Sequence, residues 1–254
     1  MPSETSKRSD THFVASLEKA MRVLEAFGSD RPRMGLTELA HVTGLDRSSV
    51  QRVTTTFHRL GYLDKDPATR RFSPSIRMTE LANAYLWSDE LVHRAMPRLI
   101  DLRQALGETI NFSRLSGSDI VYTVRLPSAR TSYAAMIAGR RVPALNTSSG
   151  RVMLAQRSPE ERLACIREWP MRRFTADTLM SRDTVRDLVE EAAETGYSIA
   201  ENELQMNELA VAVAVDRSGG GGAIHCSVSA TLWSRERLTR EVVPRLRDAA
   251  NGIG

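Results

Sequence analysis

The chain has 254 residues, 41% of them hydrophobic, a formal net charge of +4 and two cysteines. That length suits one large domain or two ordinary ones, and two is the expectation. No apolar run reaches the roughly twenty residues of a membrane helix, and the polar stretch from Met1 to His12 lacks the apolar core of a secretory signal, so a cytoplasmic protein without a membrane partner is expected.

The charge is unevenly placed. Residues 1–77 carry 13 Lys+Arg against 9 Asp+Glu, whereas residues 78–254 carry 22 of each. A basic head on a neutral body fits nucleic-acid binding through the N-terminal part. Cys165 and Cys226 fall in segments that read as helix and strand, with neither metal-ligand spacing nor a disulfide framework, which predicts reduced core residues.

Taken in order, residues 1–12 are polar and aperiodic and are expected to form a disordered arm. Ser16 opens a helix with a core stripe of Leu17, Ala20, Met21, Leu24 and Phe27, closing near Gly28. Residues 36–63 then read as two short helices joined at Gly44, which supplies the positive φ of a tight turn. Thr37 is the expected cap of the first and Asp46 of the second, which ends at Gly61.

In the second helix Val50, Val53, Phe57 and Leu60 recur at helical spacing and form the expected buried stripe. Arg47, Ser48, Ser49, Gln51, Arg52, Thr55 and Thr56 then point outward, a face suited to a major groove. Arginine forks onto guanine, glutamine onto adenine, and short hydroxyls bond phosphate or base. An ordinary helical hairpin is the alternative. Tyr62-Leu63 and Arg71-Phe72 predict two short strands around a turn at 64–70, the wing of a winged helix, with Lys65, Arg70 and Arg71 set to pass the phosphate backbone.

Residues 78–87 predict a helix with Leu81, Ala82, Tyr85 and Leu86 apolar, serving as a domain linker or pairing with a twin. Ser88 or Asp89 caps the next helix, in which Leu91, Val92, Ala95, Leu99, Leu102 and Leu106 share one face up to Gly107, with a kink or fresh start expected at Pro97. Residues 109–115 and 120–126 predict a hairpin, with a further strand around 133–138. Helices follow at 152–155 and after the Ser158-Pro159-Glu160-Glu161 capping box, and again at 183–194, ended by Gly196. Strands at 197–200, 209–215 and 223–230 and a last helix from Ser234 to about Ala250 complete an α+β body, an antiparallel sheet flanked by helices.

No phosphate loop, dinucleotide fingerprint or nucleophile elbow is present. His225 and Cys226 are adjacent in a strand and face opposite sides, which speaks against a shared metal. No catalytic residue, metal or cofactor is therefore expected. Thr147-Ser148-Ser149-Gly150 precedes a helix whose amides suit a carboxylate, and Ser227 and Ser229 share one strand face. Helix capping and an exposed strand face account for these residues equally well. Two other readings are a hydrolase or transferase using the pocket serines, which lack a base, and a sensory or scaffold protein whose helix-turn-helix binds protein.

In their order and spacing, several motifs resemble the IclR family of bacterial transcription regulators from Ser16 to Ala250. They are Ser16-Leu-Glu-Lys-Ala, Leu36-Thr-Glu-Leu-Ala with Gly44-Leu, Leu60-Gly-Tyr, Pro143 through Thr147-Ser-Ser-Gly-Arg, and Gly196-Tyr. The resemblance implies a winged helix-turn-helix DNA-binding domain at 13–76, a linker or dimerisation helix at 77–90 and a GAF-like effector-binding domain at 91–254. It implies a homodimer or dimer of dimers on double-stranded operator DNA, controlled by a small carboxylic-acid effector. Val142-Pro-Ala, Arg151-Val-Met-Leu-Ala and Glu201-Asn-Glu-Leu look most like the branch that regulates aromatic-acid catabolism.

The residues expected to contact DNA are Thr37, Arg47, Ser48, Ser49, Gln51, Arg52, Thr55, Lys65, Arg70 and Arg71. The family's effector positions correspond to Thr131, Ala134, Val142, Ser148, Ser149, Ala200, Glu208, Ala210, Ser227 and Ser229. Ala200 and Ala210 stand where keto-acid-binding members have Asp and Cys, which widens the expected pocket. Glu208 stands where an apolar side chain is usual and would repel an anion unless paired or turned away. Asn207 replaces a frequent glycine, a change that a left-handed turn tolerates.

Overall fold

The computed structural model describes residues 12–129, 138–215 and 221–254. The chain forms two compact units, Met1–Tyr85 and Leu86–Gly254. The boundary falls inside the helix that the sequence assigns to a linker.

In the first unit α1 (Ala15–Glu25), α2 (Leu36–Thr43) and α3 (Arg47–Arg59) precede the antiparallel pair β1 (Leu63–Lys65) and β2 (Phe72–Pro74), and α4 (Arg77–Ser88) follows. Val23, Met34, Leu39, Val50, Leu63 and Phe72 make its core. Met34 exchanges both backbone hydrogen bonds with Phe72, so the strand pair is anchored to the segment before α2. Gly44 takes φ 66°, as the turn between α2 and α3 requires.

Three local expectations are corrected here. Gly35, not Thr37, is the N-cap of α2: the Glu38 carboxylate accepts the Gly35 amide at 2.7 Å, and Thr37 lies exposed in the first turn. In α3 the inward position belongs to Thr54 rather than Leu60, which caps the helix end and is 51% exposed. Thr54 tolerates burial because its hydroxyl donates to the Val50 carbonyl at 2.8 Å. In α1 only Val23 is buried, and Leu17 and Met21 of the expected stripe face solvent.

The second unit begins with α5 (Glu90–Leu106), capped by Asp89 and closed by Gly107 in the left-handed region. The helix runs unbroken through Pro97. The hairpin β3 (Thr109–Ser116) and β4 (Asp119–Leu126) follows as expected. The strand expected around 133–138 lies outside the described residues up to 137, and Ala138 sits in a turn. A short strand not foreseen, β5 (Arg141–Pro143), precedes a 3₁₀ turn at Ala144–Asn146.

Then come α6 (Ser148–Leu154), α7 (Pro159–Glu168), α8 (Arg182–Thr195), β6 (Ser198–Glu201), β7 (Glu208–Val215) and β8 (Gly222–Ser229). The last helix is two, α9 (Arg235–Glu241) and α10 (Val243–Asn251). Pro244 lacks the amide that would continue the hydrogen-bond ladder, which breaks the expected single helix at Val242.

The strands form one antiparallel sheet in the order β5-β4-β3-β8-β7-β6. Strand alternation divides it. Leu209, Val211, Val213 and Val215 of β7 join Ile224, Cys226 and Val228 of β8 in a core with α5, α9 and α10. Each such aliphatic side chain contributes about 1.5–3 kcal/mol by leaving water. The opposite face of β7 carries Ala210, Ala212 and Ala214, whose small side chains let α6 lie close over the sheet. Among the described residues no helix is long and apolar enough to cross a membrane.

Candidate functional site

Two sites emerge, one in each unit. In the first, Asp46 sets the start of α3: its carboxylate accepts the Ser49 amide at 2.8 Å and the Ser49 hydroxyl at 2.6 Å, which holds it below the usual carboxylate range. Arg47, Ser48, Gln51, Arg52, Thr55 and Thr56 are exposed together on the outer face of the helix. Ser49 departs from the expected contact set, because its hydroxyl is spent on the cap.

The wing turn is built by Asp66, whose side chain accepts the amides of Ala68 and Thr69 at 2.8 and 2.9 Å. Arg70, with φ 59°, projects into solvent from it. Lys65 lies over the Phe72 ring, 5.2 Å from its centroid. The Arg71 guanidinium pairs with Glu38 at 2.7 Å and donates to the Arg33 carbonyl, tying the wing to α2.

The second site lies between α6 and the inner face of the sheet. Thr147 caps α6 by accepting the Gly150 amide at 2.9 Å, while its hydroxyl donates to the Ala144 carbonyl. Gly150 is dictated by that turn, since a Cβ there would lie 2.1 Å from the Ala144 oxygen. Under α6 runs a polar row across three strands. Arg125 donates to Asn111 Oδ1 at 2.8 Å, which turns Nδ2 of Asn111 to donate to His225 Nε2 at 2.8 Å. The proton of His225 is thereby assigned to Nδ1, which donates to Ser149 Oγ at 3.1 Å, and Ser227 Oγ lies 3.2 Å from Nε2. Complete burial, reinforced by the Arg125 charge, pushes His225 down to about 3, so the imidazole is neutral.

A narrow cavity of about 10 Å³ opens beside this row, lined by Tyr122, Thr147, Ser148, Ala200, Glu203, Leu204, Glu208, Ala210 and His225. Of the effector positions expected from the sequence, Ser148, Ala200, Glu208 and Ala210 line it. Ser149 and Ser227 stand behind it, both on His225. Ser229 is absent from the lining, and its hydroxyl bonds Thr231 Oγ1 at 2.8 Å. Val142 pairs with Ile120 inside the apolar core. Thr131 and Ala134 lie outside the described residues.

Tyr122, Ser148 and Glu208 share a property. Tyr122 and Ser148 are almost wholly buried, and among the described residues none of the three side-chain oxygens has a hydrogen-bond partner in the protein. Burial and the Glu208 charge push the Tyr122 hydroxyl up. Burial raises Glu208 above the usual carboxylate range, against the opposing pull of Arg125 and Arg140.

Sequence reasoning missed Tyr122, Asn111, Arg125 and Glu203, and took His225 only as a rejected metal ligand. Strand periodicity from Ser227 places His225 on the same face, which is the signal that was available.

Comparison with known proteins follows from this geometry. The IclR helix-turn-helix domain matches residues 16–67 and the bacterial transcriptional regulator IclR C-terminal domain matches residues 83–254. The p-hydroxybenzoate hydroxylase transcriptional activator of Acinetobacter baylyi is 29% identical over 95% of this chain and 91% of its own. A putative transcriptional regulator of Rhodococcus sp. RHA1, RHA06195, has a crystal structure 31% identical with a TM-score of 0.79, covering 95% of this chain and 97% of its own. The same fold occurs in an IclR homolog from Microbacterium hydrocarbonoxydans complexed with 4-hydroxybenzoate, 23% identical, with a TM-score of 0.75 over 94% and 97% of the two chains.

Proposed function

We propose, from the premise that this chain belongs to the IclR family of bacterial transcriptional regulators, that it controls a catabolic operon in response to an aromatic or related carboxylic acid. The observation that carries this reading is the cavity in the second unit, where the Ser148 hydroxyl, the Tyr122 hydroxyl and the Glu208 carboxylate have no hydrogen-bond partner among the described residues. Buried polar groups are ordinarily satisfied, so the two buried hydroxyls and the half-buried carboxylate beside them define a ligand's complement.

The acid's carboxylate lies at Ser148 and the first amides of α6, and its flat body lies over Ala200 and Ala210. The relative named for p-hydroxybenzoate hydroxylase and the 4-hydroxybenzoate complex of the Microbacterium homolog both support an aromatic acid.

The reading head is the outer face of α3, with Arg47, Ser48, Gln51, Arg52 and Thr55 toward base edges and phosphates, Thr37 nearby, and the wing cations Lys65 and Arg70 toward the backbone. The protein acts in the cytoplasm as a homodimer or dimer of dimers on a palindromic operator. Phe13, Val14, Leu17 and Met21 on and before α1, and Leu81 and Tyr85 on α4, expose apolar surface that a second copy would cover.

Fluorescence anisotropy on promoter DNA next to its own gene, titrated with protocatechuate, 4-hydroxybenzoate, β-ketoadipate, pyruvate and glyoxylate, tests the reading. Salt-dependent DNA binding that shifts with at least one of the first three acids is expected. Response to pyruvate and glyoxylate alone would overturn it.

A further inference from the structure

Glu208 is the oddest group in the cavity. It opens β7 opposite Ser229 of β8, and its neighbours along the inner face, Ala210 and across the strand Ala200, are small and apolar. An ionised carboxylate only accepts hydrogen bonds, and among the described residues none supplies one: Ser229 is turned to Thr231, Glu203 is locked on Arg151, and the Tyr122 hydroxyl has no partner among them either. Arg125 and Arg140 act on it as charges without closing to an ion pair. A half-buried carboxylate on an otherwise small-walled cavity thus keeps acceptor capacity that a donor on a ligand can take.

The cavity has two chemically different walls. The α6 wall offers the Ser148 hydroxyl, a donor that suits a carboxylate oxygen. The β6–β7 wall offers Glu208, which repels one. A ligand that satisfies both carries an acid at one end and a hydrogen-bond donor at the other.

Resting on the function proposed above, we infer that Glu208 is the specificity residue of this cavity, accepting a hydrogen bond from a ligand hydroxyl remote from its carboxylate. The site thus takes a hydroxylated monocarboxylic acid over an unsubstituted acid or a dicarboxylic acid. A hydroxyl on a carboxylate is a charge-assisted bond, and sites built around such a bond discriminate strongly against analogues lacking the hydroxyl. A second carboxylate at the same place meets like charge in a desolvated setting and is excluded.

Calorimetry on the full-length protein with benzoate, 4-hydroxybenzoate, 3,4-dihydroxybenzoate and benzene-1,4-dicarboxylate tests this in wild type, Glu208→Gln and Glu208→Val. In wild type the hydroxylated acids bind at least tenfold tighter than benzoate, and the dicarboxylate does not bind. In Glu208→Val the hydroxylated-to-unsubstituted ratio falls toward one while benzoate affinity holds or improves. Glu208→Gln keeps a reduced hydroxyl preference, and its isosteric side chain guards against a folding artefact. An unchanged ratio in Glu208→Val overturns the inference while leaving the aromatic-acid reading intact, as does wild-type binding of the dicarboxylate with proton uptake. If none of the four acids binds any of the proteins, the reading of the cavity itself fails, and the inference with it.

Discussion

Arg151 of α6 and Glu203, in the turn between β6 and β7, face each other through two hydrogen bonds of 2.7 and 2.5 Å, with side chains 0% and 3% exposed. The same turn is fixed by Thr178, whose hydroxyl donates to the Glu203 carbonyl, and by Thr175, which donates to that of Asn202. The pair thus joins the two walls of the cavity.

Removing one partner leaves the other charge buried alone. Glu203→Ala is expected to cost about 3–5 kcal/mol, whereas an apolar pair, Arg151→Met with Glu203→Leu, recovers most of that loss. Urea denaturation reads both. A cost below about 1 kcal/mol for Glu203→Ala would mean that water reaches the pair.

His225 predicts an acid-labile fold. Its folded value of about 3 lies below the ordinary 6.5, so its stability contribution is complete above pH 6.5 and is lost as pH falls toward 3. One proton's linkage is about 1.4 kcal/mol per pH unit. Between pH 6.5 and 5, before most carboxylates titrate, His225→Gln should flatten the stability profile by that slope. Parallel profiles for variant and wild type would remove His225 as the cause.

The local devices of this fold were legible because each is fixed by neighbours a few residues away. Asp46, Asp89, Ser158 and Ser234 cap helices where sequence spacing puts them, and Gly44, Gly107 and Gly196 take positive φ at helix ends. Asn207, φ 62°, does the same in place of a glycine. The polar row was not legible, because Asn111 meets His225 across 114 positions, through the pairing of β3 with β8, which no local pattern encodes. The Arg71–Glu38 pair was not legible for a similar reason, since its two members lie 33 positions apart. Leu60 and Thr54 exchanged places because a threonine can satisfy its own hydroxyl within the helix, a possibility that hydrophobic spacing ignores.

Gly150 predicts a sharp steric failure. A methyl group there meets the Ala144 carbonyl backbone, which cannot retreat without undoing the 3₁₀ turn. Gly150→Ala is expected to cost about 3 kcal/mol or more. Gly28→Ala, with nothing within 4 Å of the added carbon, serves as control and should stay within about 0.5 kcal/mol. Equal melting temperatures for the two variants would show that the turn yields.

Arg52, exposed on α3, is expected to contact a base edge. Arg52→Ala should weaken operator binding by about 1–3 kcal/mol and binding to random duplex by much less. Equal losses on both duplexes would reduce it to a phosphate contact.

The two wing arginines should separate in their dependence on salt. Arg70 is exposed with its charge free to displace counterions, whereas the Arg71 guanidinium is neutralised by Glu38 at 2.7 Å and held on the Arg33 carbonyl. Each phosphate contact adds about 0.9 to the slope of log K against log salt. Arg70→Gln should therefore lower that slope by about 1. Arg71→Gln alone uncovers the Glu38 carboxylate beside the DNA and loosens the wing, so it weakens binding for a second reason. Glu38→Gln together with Arg71→Gln removes a pair of zero net charge, and Gln still accepts the Gly35 amide that caps α2. The double variant should keep the wild-type slope. Anisotropy titrations from low to physiological salt would decide, and a fall of about 1 in the double variant would return Arg71 to the phosphate-contacting set.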